Sequence, residues 1–140
     1  MTKCLTIAMV ILVSVAFVFL GCGQQQPRID KAKFEGLYRA AKTIQVSTSV
    51  GVNYLEFGKL LRNYATELSI ANDRITSEGE RELWNYFNKS YEMYEQSHFL
   101  WKDKIEYSKD PKYQSIDEVI QKYWKEGANE LEKAKTLYLM

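Results

Sequence analysis

His98 is the only histidine in the chain, and Glu95 stands three residues before it. A Glu-x-x-His unit at this spacing puts a carboxylate and an imidazole on one helical face, the arrangement that di-iron carboxylate bundles use twice. A second unit needs a second histidine, so a site of that type is excluded by count. A covalent haem site needs Cys-x-x-Cys-His, and the two cysteines stand at Cys4 and Cys22. The same two cysteines and single histidine are too few for structural zinc. Ser, His and Asp all occur, but no Gly-x-Ser-x-Gly elbow presents a serine. Gly51 and Gly58 are isolated, so no glycine loop cradles a phosphate. The expectation is therefore no catalytic residue, no metal and no cofactor.

The aromatic side chains are the other chemical resource, with 10 Tyr and 3 Trp. Tyr64, Trp84, Tyr91, Tyr94, His98, Trp101 and Tyr123 recur at steps that place them on facing helices. One reading makes them a ligand pocket for an apolar or sugar-like molecule. The plainer reading makes them core, His98 included, and helical spacing favours it. Buried tyrosine then carries a condition, because each hydroxyl needs a partner.

Four elements must position these groups. Phe34, Leu37, Ala41, Ile44, Thr48 and Gly51 are apolar or small at alternating steps of three and four, one face of a helix opening at Asp30. Tyr54, Phe57, Leu61, Tyr64, Leu68, Ala71 and Ile75 repeat the rhythm one residue out of phase, so one straight helix cannot bury both stripes. Either a turn near 50–53 separates two helices, with Asn53 and Glu56 at capping-box spacing, or one helix bends there. Ser77 and Glu80 form a capping box for a third helix reaching about Tyr107, with the seam Trp84, Phe87, Tyr91, Tyr94, His98, Trp101 and Ile105. Ser108–Pro111 stops it. Ser115 and Glu118 repeat the box for a fourth helix, whose buried face is Ile116, Ile120, Tyr123, Gly127, Leu131, Ala134 and Leu137 or Tyr138. Gly127 costs about 1 kcal/mol relative to Ala in a helix interior, which close approach of Trp84 or Trp101 would offset. The expected fold is all-α, an antiparallel bundle of four helices over residues 29–140.

The beginning of the chain has a different character. Lys3 is followed by an uncharged, apolar run from Leu5 to Leu20, then Gly21-Cys22. A helix over that run spans ~24 Å, short of the ~30 Å hydrocarbon core. The ending resembles the lipobox of bacterial lipoproteins, with Phe19 where the pattern usually has Leu. The resemblance implies that residues 1–21 are a signal peptide, that lipid joins the Cys22 sulfur, and that Cys22 becomes the first residue of the mature protein. Residues 22–28 are then a tether, of which Gly23–Pro27 reaches ~17 Å at most. Two or more acyl chains give stable membrane attachment. Cys22 consumed by lipid leaves no disulfide. The resemblance places the protein in the bacterial envelope, on the periplasmic side or the cell surface. Gly23, where the enteric inner-membrane signal has Asp, leans to the outer membrane.

Without Lys3 the chain carries 18 basic against 18 acidic side chains, interspersed. That balance argues against nucleic acid, whose binding rests on phosphate neutralisation, and against a polybasic grip on anionic lipid. Two functions fit: a non-catalytic module that binds another envelope protein, or a small-ligand receptor with an aromatic pocket between the second, third and fourth helices. The apolar stretch Leu137–Met140 either docks on the bundle or is an exposed patch for a partner or the membrane surface. The lipoprotein resemblance predicts that Cys22→Ala leaves the precursor uncut. Equal intact masses for variant and wild type would remove it.

Overall fold

The computed structural model describes residues 29–113 and 115–140. The expected signal segment 1–21, the expected lipid site Cys22 and the expected tether 22–28 lie outside the described residues. The fold is all-α: helices α1 (Glu35–Val50), α2 (Tyr54–Asn72), α3 (Glu78–Glu106) and α4 (Ile116–Leu139), with 3-10 turns at Lys31–Lys33 and Pro111–Tyr113.

The first helix starts later than Asp30. The Asp30 carboxylate accepts from Ala32 N at 3.1 Å and caps the short 3-10 turn instead. Phe34, wholly buried, is the joint, and the Tyr38 N to Phe34 O bond at 2.8 Å opens α1. The phase slip is a turn rather than a bend. Gly51 ends α1 with φ 105, which glycine adopts without strain. Asn53 then caps α2 by accepting from Glu56 N at 2.9 Å. The two helices lie antiparallel, since Gly36 near the start of α1 stands against Glu67 near the end of α2.

The capping box expected at Ser115 does not form. Ser115 has φ −101 and ψ 7, not the extended backbone of an N-cap, and its side chain makes no capping bond.

The largest interface is between α3 and α4, and small residues set it. Ser90 and Ser97 on α3 have no exposed surface. Ser90 Oγ donates to Gly127 O at 2.8 Å. A Cβ at Gly127 would lie 3.1 Å from Tyr94 Cε2 and 3.2 Å from Ser90 O. The close partners of Gly127 are thus Tyr94 and Ser90, not Trp84 or Trp101. This approach rotates α3 from the expected seam. Its buried stripe runs Leu83, Phe87, Ser90, Tyr94 and Ser97. Trp84, Tyr91, His98 and Trp101 are half-buried on its flank, and Ile105 is 52% exposed. On α4 the core ring is Trp124, with Tyr123 only half-buried beside it. A tight backbone crossing has room for serine and glycine, so the large rings move to its edges.

The helices differ in length, and that gives the bundle two unlike ends. Tyr54 at the start of α2 lies level with His98 and Trp101 of α3. The last turn of α3 and first turns of α4 therefore overhang the α1–α2 pair, linked by the Lys104–Asp117 ion pair at 2.5 Å. At the other end Ile29, Thr76, Glu80 and Tyr138 lie together. Here Glu80, 2% exposed, holds the junction. Its carboxylate accepts from Lys33 Nζ at 2.8 and 3.0 Å, Thr76 N at 2.7 Å, Thr76 Oγ1 at 3.1 Å and Asp30 N at 3.2 Å. Its own backbone N donates to Ser77 Oγ at 3.2 Å. The N3 position of a capping box has become a clasp on the incoming chain.

Burial alone would raise the Glu80 carboxyl, but these hydrogen bonds outweigh it and hold it at about 2. A lowered folded-state value contributes stability that is present above the ordinary 4.5 and lost as pH falls toward 2. The shift corresponds to about 3 kcal/mol at neutral pH. Urea unfolding of wild type is expected to weaken more steeply across that acid window than unfolding of Glu80→Gln. Parallel pH slopes for the two proteins would rule out the clasp.

Candidate functional site

The aromatic residues form one slab through the bundle. Phe57 of α2 is at its centre, with ring centroids 6.4 Å from Tyr94, 5.9 Å from His98, 6.0 Å from Trp101 and 5.5 Å from Trp124. Trp101 meets Trp124 edge-on at 5.7 Å. His98 lies flat on Tyr54, at 4.7 Å and 3°. Gly58 makes room for this stack, since a Cβ there would lie 3.1 Å from His98 Nε2.

Most polar atoms in the slab are tied down. Tyr64 OH donates to Phe87 O at 2.9 Å. Trp84 Nε1 donates to Leu68 O at 2.9 Å. Trp124 Nε1 donates to Ser97 Oγ at 2.8 Å, and that hydroxyl donates to Tyr94 O at 2.6 Å. Tyr91 OH donates to Glu95 Oε1 at 2.7 Å, so the carboxylate of the Glu-x-x-His unit serves a tyrosine. Burial pushes the Tyr64 and Tyr91 phenols far up, the hydrogen bond to Glu95 adding to the second. His98 is held below its ordinary value by burial first and then by Arg62, with Lys102 in the same direction and Glu95 opposing. These groups stay neutral at physiological pH.

Tyr94 is the exception. It is wholly buried, and its hydroxyl has no hydrogen-bond partner among the described residues. The Thr48 hydroxyl faces it, its one proton directed to the carbonyls of Ile44 and Gln45, each at 3.0 Å. Burial pushes the Tyr94 phenol up to about 12.

The seven predicted pocket residues therefore divide. Tyr64 and Tyr94 have no exposed surface. Trp84, Tyr91, His98 and Trp101 are half-buried along the α2–α3 seam, where Arg81 lies over Trp84 at 5.8 Å. Tyr123 makes no ring contact with the other six. The seven do not share one exposed opening. Among the described residues no group of three or more His, Cys, Asp or Glu side chains is disposed to hold a metal ion.

Two surface features were not anticipated. A groove of about 640 Å³ runs outside the α3–α4 pair, lined by Lys89, Met93, Glu126, Asn129, Glu130 and Lys133. A smaller one of about 290 Å³ continues it past Tyr86 to Leu137 and Met140. The repeat Tyr86, Met93, Leu100 at seven-residue steps was the available signal, a second stripe on α3. The other feature is the overhang. Val50, Leu55, Phe99, Ile105, Tyr107 and Val119, each between 42% and 78% exposed, gather at that end of the bundle.

No protein-family model, curated protein or solved structure matches the chain. No helix among the described residues is long and apolar enough to cross a membrane.

The unequal satisfaction of two buried tyrosines is measurable. Tyr64→Phe removes a made hydrogen bond and is expected to cost about 1 kcal/mol. Tyr94→Phe removes an unpaired hydroxyl from the interior and is expected to leave stability unchanged or raise it by up to ~1 kcal/mol. Urea midpoints of the two variants check this. A loss at Tyr94 equal to that at Tyr64 would mean its hydroxyl is bonded.

Proposed function

We propose that this protein is a lipid-anchored lipoprotein of the bacterial envelope, acting as a non-catalytic module that binds another envelope protein through the overhanging end of its bundle. The observation that carries the reading is the exposed apolar side chains at the α3–α4 overhang. The half-buried flank stripe of His98 and Trp101 continues there into Ile105, past the end of α1 and α2, and faces water. Exposed apolar surface gathered in one region marks interaction sites on soluble domains.

The position of that end supports a protein as occupant. The chain leaves the tether at Ile29, at the opposite end. α3, with 29 residues, is ~44 Å long. A body anchored through Cys22 carries the overhang well clear of the lipid surface, where neighbouring envelope proteins are met. The aromatic slab supports a non-catalytic role, because its polar atoms serve packing.

Photo-cross-linking in cells tests the proposal. A photoreactive residue at Ile105 or Val119 is expected to yield one recurring protein adduct, identified by mass spectrometry. The same residue at Lys59 on the side of α2 is expected to yield none. Identical adducts from both places, or none from the overhang, would overturn the reading.

A further inference from the structure

The end of the bundle opposite the overhang carries its own apolar group. Leu139 is 59% and Met140 81% exposed. They follow Tyr138, which stacks on Tyr38 at 4.8 Å and lies beneath Lys31 Nζ at 6.0 Å. Ile29 packs against the core at the same end. An aliphatic tip bordered by tyrosine and a lysine is the composition of a membrane–water boundary: aliphatic groups among the acyl chains, phenol rings at headgroup level, ammonium groups beside phosphate.

We infer that this end of the bundle, with Leu139 and Met140 at its tip, rests on the phospholipid surface. The inference rests on the lipid-anchored reading. The length of chain fixes which surface is within reach. From Cys22 to Ile29 the backbone extends ~25 Å at most, so a lipidated Cys22 keeps this end beside the bilayer. Contact there stands the helices upright and turns the overhang away from the lipid.

The test uses the full chain, made with its leader in a bacterial host. Intact mass first shows whether residues 1–21 are gone and Cys22 is acylated. Leu139→Cys and, separately, Tyr107→Cys variants are labelled with a polarity-sensitive fluorophore. Each is placed in vesicles of phosphatidylethanolamine and phosphatidylglycerol. The label at 139 is expected to shift to shorter wavelength and to be quenched by lipids carrying a headgroup-level nitroxide. The label at 107 is expected to do neither. A water-like signal at 139 in acylated, vesicle-bound protein overturns the inference, as does an equal response at both positions. A concentration-dependent shift without vesicles overturns it too, by placing a second copy of the chain there. If the mass shows no acylation, the anchored reading fails separately. In a Cys4→Ser, Cys22→Ser background the label at 139 then reads the contact alone: a shift on adding vesicles retains it, and no shift removes it.

Discussion

The crossing of α3 over α4 at Ser90 and Gly127 is the constraint to which the rest of the packing answers. A hydroxyl on one helix donates to a backbone carbonyl on the other at 2.8 Å, which brings the two backbones close. No side chain larger than serine fits on α3 at that level unless it points aside, and Tyr94 fills the remaining space against the glycine. Tryptophan and histidine are therefore kept off the α3–α4 centreline and meet α2 instead. Trp124 enters the core from α4 because Ser97 offers an acceptor for its ring N–H. Gly127 loses about 1 kcal/mol of helix propensity and gains the largest interface in the molecule.

Glu80 is the complementary constraint at the other end. Helix interfaces align stripes but leave the entering chain free to swing about Phe34. One buried carboxylate, accepting five hydrogen bonds from four groups, removes that freedom. It joins the backbone at Asp30, the ammonium of Lys33 and the α2–α3 connection at Thr76. Desolvation of a carboxylate is offset only when its lone pairs are filled, and here they are. Because the clasp ties Asp30 and Lys33 just ahead of the first helix, it fixes how the chain enters the bundle.

Much of this was legible beforehand. The step pattern predicted four helices. The one-residue phase slip marked the turn at Gly51, and Asn53 and Ser77 stood at their caps. What periodicity did not resolve was which of two adjacent stripes on α3 faces the core. The expected seam joined both: Phe87 and Tyr94 are buried as expected, Trp84, Tyr91, His98 and Trp101 flank them, and the buried serines Ser90 and Ser97 were passed over because they are not hydrophobic. The choice rests on backbone proximity, which involves residues 37 apart in Ser90 and Gly127. Ser115 misled because the capping pattern gives residue type and spacing but not the backbone angles, which at Ser115 are not those of an N-cap. The Glu80 carboxylate was recognised as a helix start but not as a long-range acceptor, since its partners lie up to 50 positions away. Grooves and overhang depend on relative helix lengths and on faces left uncovered, which single-helix patterns do not encode.

The α3–α4 overhang has a dynamic consequence. Below Trp101 each helix has neighbours on several sides, whereas above it the two helices have only each other. Local opening is easiest where buried contacts are fewest. Backbone amides near Ile105 and Val119 should thus exchange their protons through small fluctuations, while those near Tyr64 wait for the whole domain to open. A partner closing around the tip would supply the missing walls and still it, so affinity there and the quieting of that motion would be one thermodynamic event.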